Sequence, residues 1–322
     1  MGENISAYRS ALSEIARIAS ALTDVTESDA NDASGDEEPM TNGQGDSDVG
    51  CRIKALPART REQAAEVAVR INPVNAPLYE MLSDNPLVDS PLSLTLSTSK
   101  YWGPAARRLT VSFMESTPSD LRARIVSHLN AWAVRTSISF VQTSGVGDVR
   151  ISRGPGGYYS YLGTDITLIP KNRQTMNLQN FTMNTSDSEF RRVVRHEAGH
   201  TLGFPHEHMR KELVSRIDPQ KAYAYFLATQ GWNKQMVDQQ VLTPLNASSI
   251  FGTPADQDSI MCYQLPGQIT FDGLPIRGGK DINRTDYRFA GLVYPKASSA
   301  PESAPIQSED DWEPADDVPV PA

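Results

Sequence analysis

Residues 196 to 206 read His-Glu-Ala-Gly-His-Thr-Leu-Gly-Phe-Pro-His, three imidazoles and a carboxylate at spacings that suit one metal ion. On a helix, positions four apart lie one above the other, so His196 and His200 can both aim a ring nitrogen at the same ion. Glu197 sits one step round from the first ligand. Its carboxylate then lies close to the metal's open position, where it can take a proton from water during attack on a carbonyl, so it reads as a base rather than a ligand. Gly203 can adopt the left-handed conformation that ends a helix, and Pro205 forbids continuation. The resulting reversal can carry His206 to the metal as a third ligand. Three histidines with a fourth position left for water is the pattern of a catalytic zinc, not a structural one. The five-residue core alone arises by chance in some chains; Gly203 and His206 make a chance match remote.

The extended pattern resembles the metzincin clan of zinc endopeptidases, and its continuation through Glu207, His208, Met209 and Arg210 looks like the astacin family within that clan. Downstream, Ser259-Ile260-Met261-Cys262-Tyr263 resembles the methionine turn of metzincins. The resemblance implies that Met261 forms an apolar floor beneath the metal. It also implies that Tyr263 binds the zinc at rest, swings away when substrate arrives and stabilises the oxyanion. Glu207 matches the glutamate that astacins pair with a freshly cut N-terminus, which implies removal of an upstream segment; a plain surface carboxylate is the alternative. The likeness runs from about Tyr101 to Pro295. It implies one catalytic Zn2+, protein or peptide substrates and a monomer. The expected function is a zinc-dependent metalloendopeptidase, and the alternative is a catalytically silent zinc module that binds polypeptides.

The chain departs from the family in its cysteines, having only Cys51 and Cys262, and it lacks the short motif by which astacin propeptides place an aspartate on the zinc. Deprotonated cysteine is a strong zinc ligand, so Cys51 could act as a latency thiolate. Its context, Gly50-Cys51-Arg52-Ile53-Lys54, does not resemble the cysteine switch of the matrixins. Cys262 reads as a small buried hydrophobe.

Charge is unevenly spread over the 322 residues, whose net charge is −9. The stretches 24–48 and 297–322 are acidic with no basic residue, so the remainder is net basic. Its positive residues are scattered without a recognition motif, which argues for solvated surface charge and against nucleic acid. No secretory leader or apolar run of membrane-spanning length is visible, so the expected location is cytoplasmic, with leaderless export as the other route.

Apolar periodicity predicts a short amphipathic helix within residues 1–23. An acidic linker poor in large apolar residues follows over 24–50 and is expected to be disordered, as is the tail 297–322. Residues 51–100 read as a pro-like extension, with a capping box at Thr60–Gln63 opening a helix to about Arg70. The catalytic domain is placed at 101–296. Within it, strands are expected at 109–113, 137–142, 148–152, 158–162 and 166–169, with a helix after Thr117 and the zinc-site helix from about Asp187. Another helix is expected from Asp218-Pro219 to about Leu227. This order predicts an α+β metzincin-type fold, a twisted mixed sheet and active-site helix above an irregular helical lower subdomain. Tyr158, Tyr159, Ser160 and Tyr161 are expected to be an exposed edge strand that pairs with the substrate backbone.

Overall fold

The structure is a computed structural model that describes residues 51–54, 56–75, 100, 102–245 and 255–296. The expectations for the first helix, the acidic linker and the acidic tail lie outside the described residues. One six-stranded mixed sheet carries the upper half, in the order β1-β5-β6-β4-β2-β3. The strands are β1 (Cys51–Lys54), β2 (Arg107–Phe113), β3 (Ile138–Gln142), β4 (Val149–Ser152), β5 (Tyr158–Tyr161) and β6 (Met176–Leu178). β5 runs antiparallel to β6, and every other pairing is parallel. The expected α+β class is therefore observed.

The helices are α1 (Arg61–Ile71), α2 (Ser119–Leu129), α3 (Arg195–Thr201), α4 (Pro219–Gln230) and α5 (Arg284–Val293), with shorter turns between. The expected stripe on α2 is its inner face: Leu121, Ile125 and Leu129, with Trp132 just beyond, are almost wholly buried. His128 is buried on the same helix, against Asp187 at 3.5 Å and the Phe190 ring at 5.1 Å, a packing role as expected. Helix α4 starts on an Asp218 cap followed by Pro219, and it closes on Gly231 in the left-handed region (φ 66°).

Three sequence expectations need correction. Thr60 does not cap α1 with its side chain; its hydroxyl donates to the Pro57 carbonyl instead, at 2.8 Å. Residues 163–168 are a 3-10 helix, not a strand. The place beside β5 is taken by β6, which the sequence reading missed, and the backbone of 163–168 is turned at Gly163 (φ 49°), with Thr164 N donating to the Lys100 carbonyl. Finally, β5 is not a sheet edge, because β1 pairs with its whole length.

Two large apolar clusters divide the described residues, with a small third one of Leu56, Ala64 and Ile169 beside α1. The upper one joins the sheet, α2 and α3 through Leu109, Ile125, Trp132, Val194, Leu202 and Met261. The lower gathers Leu213, Phe226, Trp232, Val241, Cys262 and Leu265. Met261 and Cys262 are chain neighbours in different clusters, so the turn that carries them lies on the seam, directly where α3 ends.

Candidate metal centre

Helix α3 reaches the seam through helical turns from Asp187, which Ser186 caps by accepting from Glu189 N at 3.2 Å. The stretch Phe190–Val194 is π-helical, a local widening that often accompanies functional sites. His196 and His200 then lie on one face, their rings edge to face with centroids 4.7 Å apart. Gly203 (φ 99°) ends the helix, and the chain folds back so that Phe204 N donates to the Gly199 carbonyl at 3.0 Å. His206 arrives on the same point as its fellows. Its Nε2 stands 3.0 Å from His200 Nε2 and 3.2 Å from His196 Nε2.

The tautomers follow from the other ring nitrogens. His196 Nδ1 faces the Ile260 carbonyl at 2.5 Å and His200 Nδ1 faces the Phe204 carbonyl at 2.8 Å. A carbonyl only accepts, so each Nδ1 carries the proton and each Nε2 presents a lone pair to its neighbours. Burial holds His196 down at about 4 and drives His200 and His206 well below the usual imidazole range, keeping the rings neutral. Neutral lone pairs converging at such distances ask for a cation.

The cluster has a fourth member. Cys51 Sγ lies 3.6 Å from His200 Nε2, and the four donor atoms fall within 4.8 Å of one another, all on buried residues. For tetrahedral zinc, bond lengths of about 2.0–2.1 Å to nitrogen and 2.3 Å to sulfur place nitrogens about 3.3 Å apart and sulfur about 3.6 Å from nitrogen. The three observed separations, 3.0, 3.2 and 3.6 Å, match those values, and three imidazoles with a cysteine are a donor set that suits zinc. Burial and the Glu197 carboxylate push the Cys51 thiol well above its ordinary range, a direction that a coordinated dication reverses.

Glu197 is wholly buried with the Cys51 thiol as its near neighbour, and neither carboxylate oxygen has a well-formed hydrogen bond. Burial pushes it up to about 8, and the Cys51 thiol and Arg192 guanidinium pull back only in part. A cleft of about 1290 Å³ opens beside it, with Cys51, Tyr158, Arg192, His196, Gln230 and Tyr263 among its walls.

The family match decides what this geometry belongs to. A family model described as Astacin, a peptidase family, matches residues 95–271, more than half of the chain. The chain belongs to the astacin family. A curated relative, zinc metalloproteinase nas-27 of Caenorhabditis elegans, is 30% identical over 122 residues, which are 35% of this chain; the chain spans about a quarter (26%) of that relative. A solved structure of myroilysin superposes with a TM-score of 0.58 at 32% identity, covering 61% of this chain and 96% of the other. The structure of high choriolytic enzyme 1, a hatching enzyme zinc-protease from medaka (Oryzias latipes), has a TM-score of 0.42 at 20% identity over 61% of this chain and 94% of its own.

Within this astacin-family site, the structure brings together His196, His200, His206 and Glu197 as the sequence reading expects. Met261 packs under α3, and a β-carbon on Gly199 would stand 2.3 Å from its sulfur. Tyr263 flanks the cluster, its ring 6.3 Å from that of His206 and its hydroxyl 3.5 Å from Gln230 Nε2. Glu207 is mostly buried and accepts from Asp256 N at 3.3 Å; burial raises it to about 7. It is no surface carboxylate. Of the substrate-strand residues, Tyr159 and Ser160 are buried, Ser160 with its hydroxyl 3.0 Å from that of Thr201 on α3, and β1 pairs with the backbone of all four.

Sequence reasoning missed Asp286. Its carboxylate takes Ser259 Oγ at 2.6 Å, Ile260 N at 2.9 Å and Asn283 N at 3.0 Å, so one group caps α5 and clamps the turn whose carbonyl orients His196. The capping box Asn283-Arg284-Thr285-Asp286 was a readable signal for the helix start. Its reach to residue 259 was not readable.

Proposed function

We propose that this chain is a zinc metalloendopeptidase that cuts extended polypeptides at internal bonds, with Glu197 as its general base. The observation that carries the reading is Glu197 itself: a fully buried carboxylate with only the Cys51 thiol and the Arg192 guanidinium acting on it, beside three converging imidazoles. A structural site has no use for such a group, whereas a buried carboxylate next to an open metal position can take the proton of a metal-bound water.

His196, His200 and His206 would hold the ion. When bound, zinc supplies Lewis-acid polarisation of the scissile carbonyl and acidifies the attacking water. Glu197 takes that water's proton and returns it to the leaving amine. Tyr263 borders the same cleft, where its phenol can donate to the developing oxyanion once it leaves Gln230. Met261 supplies the floor. Tyr158 to Tyr161 would seat the substrate backbone by strand addition when β1 is out of the way.

One observation favours the second reading, a silent zinc module: three histidines and a cysteine make a closed four-ligand set, as structural zinc has. The two readings part on a mixed peptide library digested by the full chain, Cys51→Ala and Glu197→Gln, with products read by mass spectrometry. The peptidase reading expects internal cuts that Glu197→Gln reduces by at least about 100-fold at unchanged zinc content. Equal cutting by Glu197→Gln, or none by any form at full zinc occupancy, would sink it.

A further inference from the structure

We infer that the acidic segment 297–322 of this chain docks on the outer side of helix α5, with Trp312 seated in a basic pocket beside Arg135, Arg284 and Tyr287. Neither the metal nor the peptidase reading enters into it.

The pocket comes first. It holds about 750 Å³, with Arg135, Ile282, Arg284, Tyr287, Arg288 and Gly291 among its walls. That volume falls in the range of cavities that take a small organic group. The pocket forms where α5 packs on the turn Trp132–Val134. The Tyr287 ring lies 6.5 Å from that of Trp132, and its hydroxyl donates to the Ala131 carbonyl at 3.4 Å. A β-carbon on Gly291 would stand 3.2 Å from the Arg135 carbonyl oxygen, so the glycine lets the two walls meet closely.

Charge says what kind of occupant fits. Arg135 and Arg284 are exposed and form no ion pair among the described residues. The acidic residues beside Arg284 in sequence are engaged elsewhere: Asp281 pairs with Arg195 and Arg191, and Asp286 turns inward onto Ser259 and Ile260. A cationic hollow of this kind attracts an anion. Val134, next to Arg135, is 61% exposed and adds an apolar contact at the rim.

The chain supplies that occupant itself. Segment 297–322 has seven acidic residues and no basic one, and Glu309, Asp310, Asp311 and Glu313 flank Trp312. Trp102, Trp132 and Trp232 are buried in the apolar clusters, and Trp312 is the fourth tryptophan of the chain. An indole stacks well on guanidinium faces, while the carboxylates around it pair with the same arginines. The reach is sufficient. Helix α5 is about 15 Å long, and residues 297–311, as a flexible link from Lys296 to Trp312, span about 20 Å. Such a tether gives an effective concentration on the order of millimolar, at which even a weak contact is mostly made. Arg284 lies two residues from Asp286, so an occupied pocket braces the end of α5 that clamps the turn bearing Ile260.

The test measures acrylamide quenching of tryptophan fluorescence in the full chain and in Trp312→Phe, whose difference isolates Trp312, with near-ultraviolet circular dichroism reporting folding. Docking expects Trp312 to be at least about 2-fold less quenchable in dilute buffer than in about 1 M salt, where charges are screened beyond about 3 Å. It expects the same release in dilute buffer for Arg135→Glu with Arg284→Glu, and for Asp310→Lys with Asp311→Lys. Combining the two pairs exchanges the charges and should restore the shielding. The second pair alters no residue of the described fold, so it decides the matter even where the first pair fails to fold. Quenching of Trp312 that is equal at both salt levels and in every variant overturns the inference. Shielding that grows with protein concentration also overturns it, since a second copy then supplies the acidic segment.

Discussion

Gly199 and Met261 are so close that a β-carbon on the glycine would stand 2.3 Å from the methionine sulfur and 3.2 Å from Trp132 Cζ2. Gly199 lies inside α3 with ordinary helical geometry, so its lack of a side chain serves contact rather than backbone freedom. Alanine there gains about 0.5–1 kcal/mol in helix propensity but must push into a packed turn, at a cost of about 1–3 kcal/mol. Gly199→Ala is expected to destabilise by about 1–2 kcal/mol in urea unfolding, and much less in a Met261→Ala background. Additive losses in that double-mutant cycle would rule out Met261 as the floor of the helix.

Removing the metal should loosen the same seam. With the Nε2 atoms 3.0 and 3.2 Å apart, the three rings converge on one point, and a ligand bound there only by the folded chain adds stability as its concentration exceeds its Kd. A chelator should lower Tm by several degrees, and stoichiometric Zn2+ should restore it. The same treatment of His206→Ala is expected to move Tm little. A Tm indifferent to chelation in wild type would count against the assigned ligands.

The sequence made the chemistry legible where spacing alone forces geometry. His196 and His200 share a face because a helix puts i and i+4 there, and Gly203 with Pro205 leaves the chain little choice but to turn. Contacts between segments far apart were hidden. Nothing in Gly50 to Lys54 says that this segment pairs with residue 158, because register across a hundred residues depends on the whole sheet. The 3-10 turn at 163–168 misled for a related reason: an apolar run of four residues fits a strand or a tight helix equally, and the Lys100 carbonyl decided it.

Arg150 shows the same limit inside a correctly expected strand. All four residues of β4 are buried, and the Arg150 guanidinium donates to the carbonyls of Gly147, Asp148, Ile169 and Arg173 at 2.7–3.1 Å. It ties the start of β4 to the loop that leads into β6. Hydrogen bonds from a charged group are worth about 1.5–3 kcal/mol each and are not additive. Arg150→Met, which keeps the bulk and strands four carbonyls, is expected to cost about 3–5 kcal/mol, beyond the range of ordinary surface changes. A loss under 1 kcal/mol by denaturant midpoint would refute that role.

Asp286 gives a pH signature. Burial pushes its carboxyl up from 3.8 to about 6, even against the donors of Ser259, Ile260 and Asn283. Because the folded-state value is the raised one, the folded chain holds the proton more tightly than the unfolded chain between about pH 4 and 6. Stability from this group is fully present below pH 4 and is lost as pH rises through 6, a change on the order of 2–3 kcal/mol. Asp286→Asn carries no such charge, so its own curve omits the term while sharing every other titration in the molecule. Urea unfolding of both metal-free forms from pH 3.5 to 7 should therefore show the wild type losing ground relative to Asp286→Asn across that window, then running parallel above it. A difference that stays constant, or that moves in the wild type's favour as pH rises, would mean that the hydrogen bonds to Asp286 outweigh its burial.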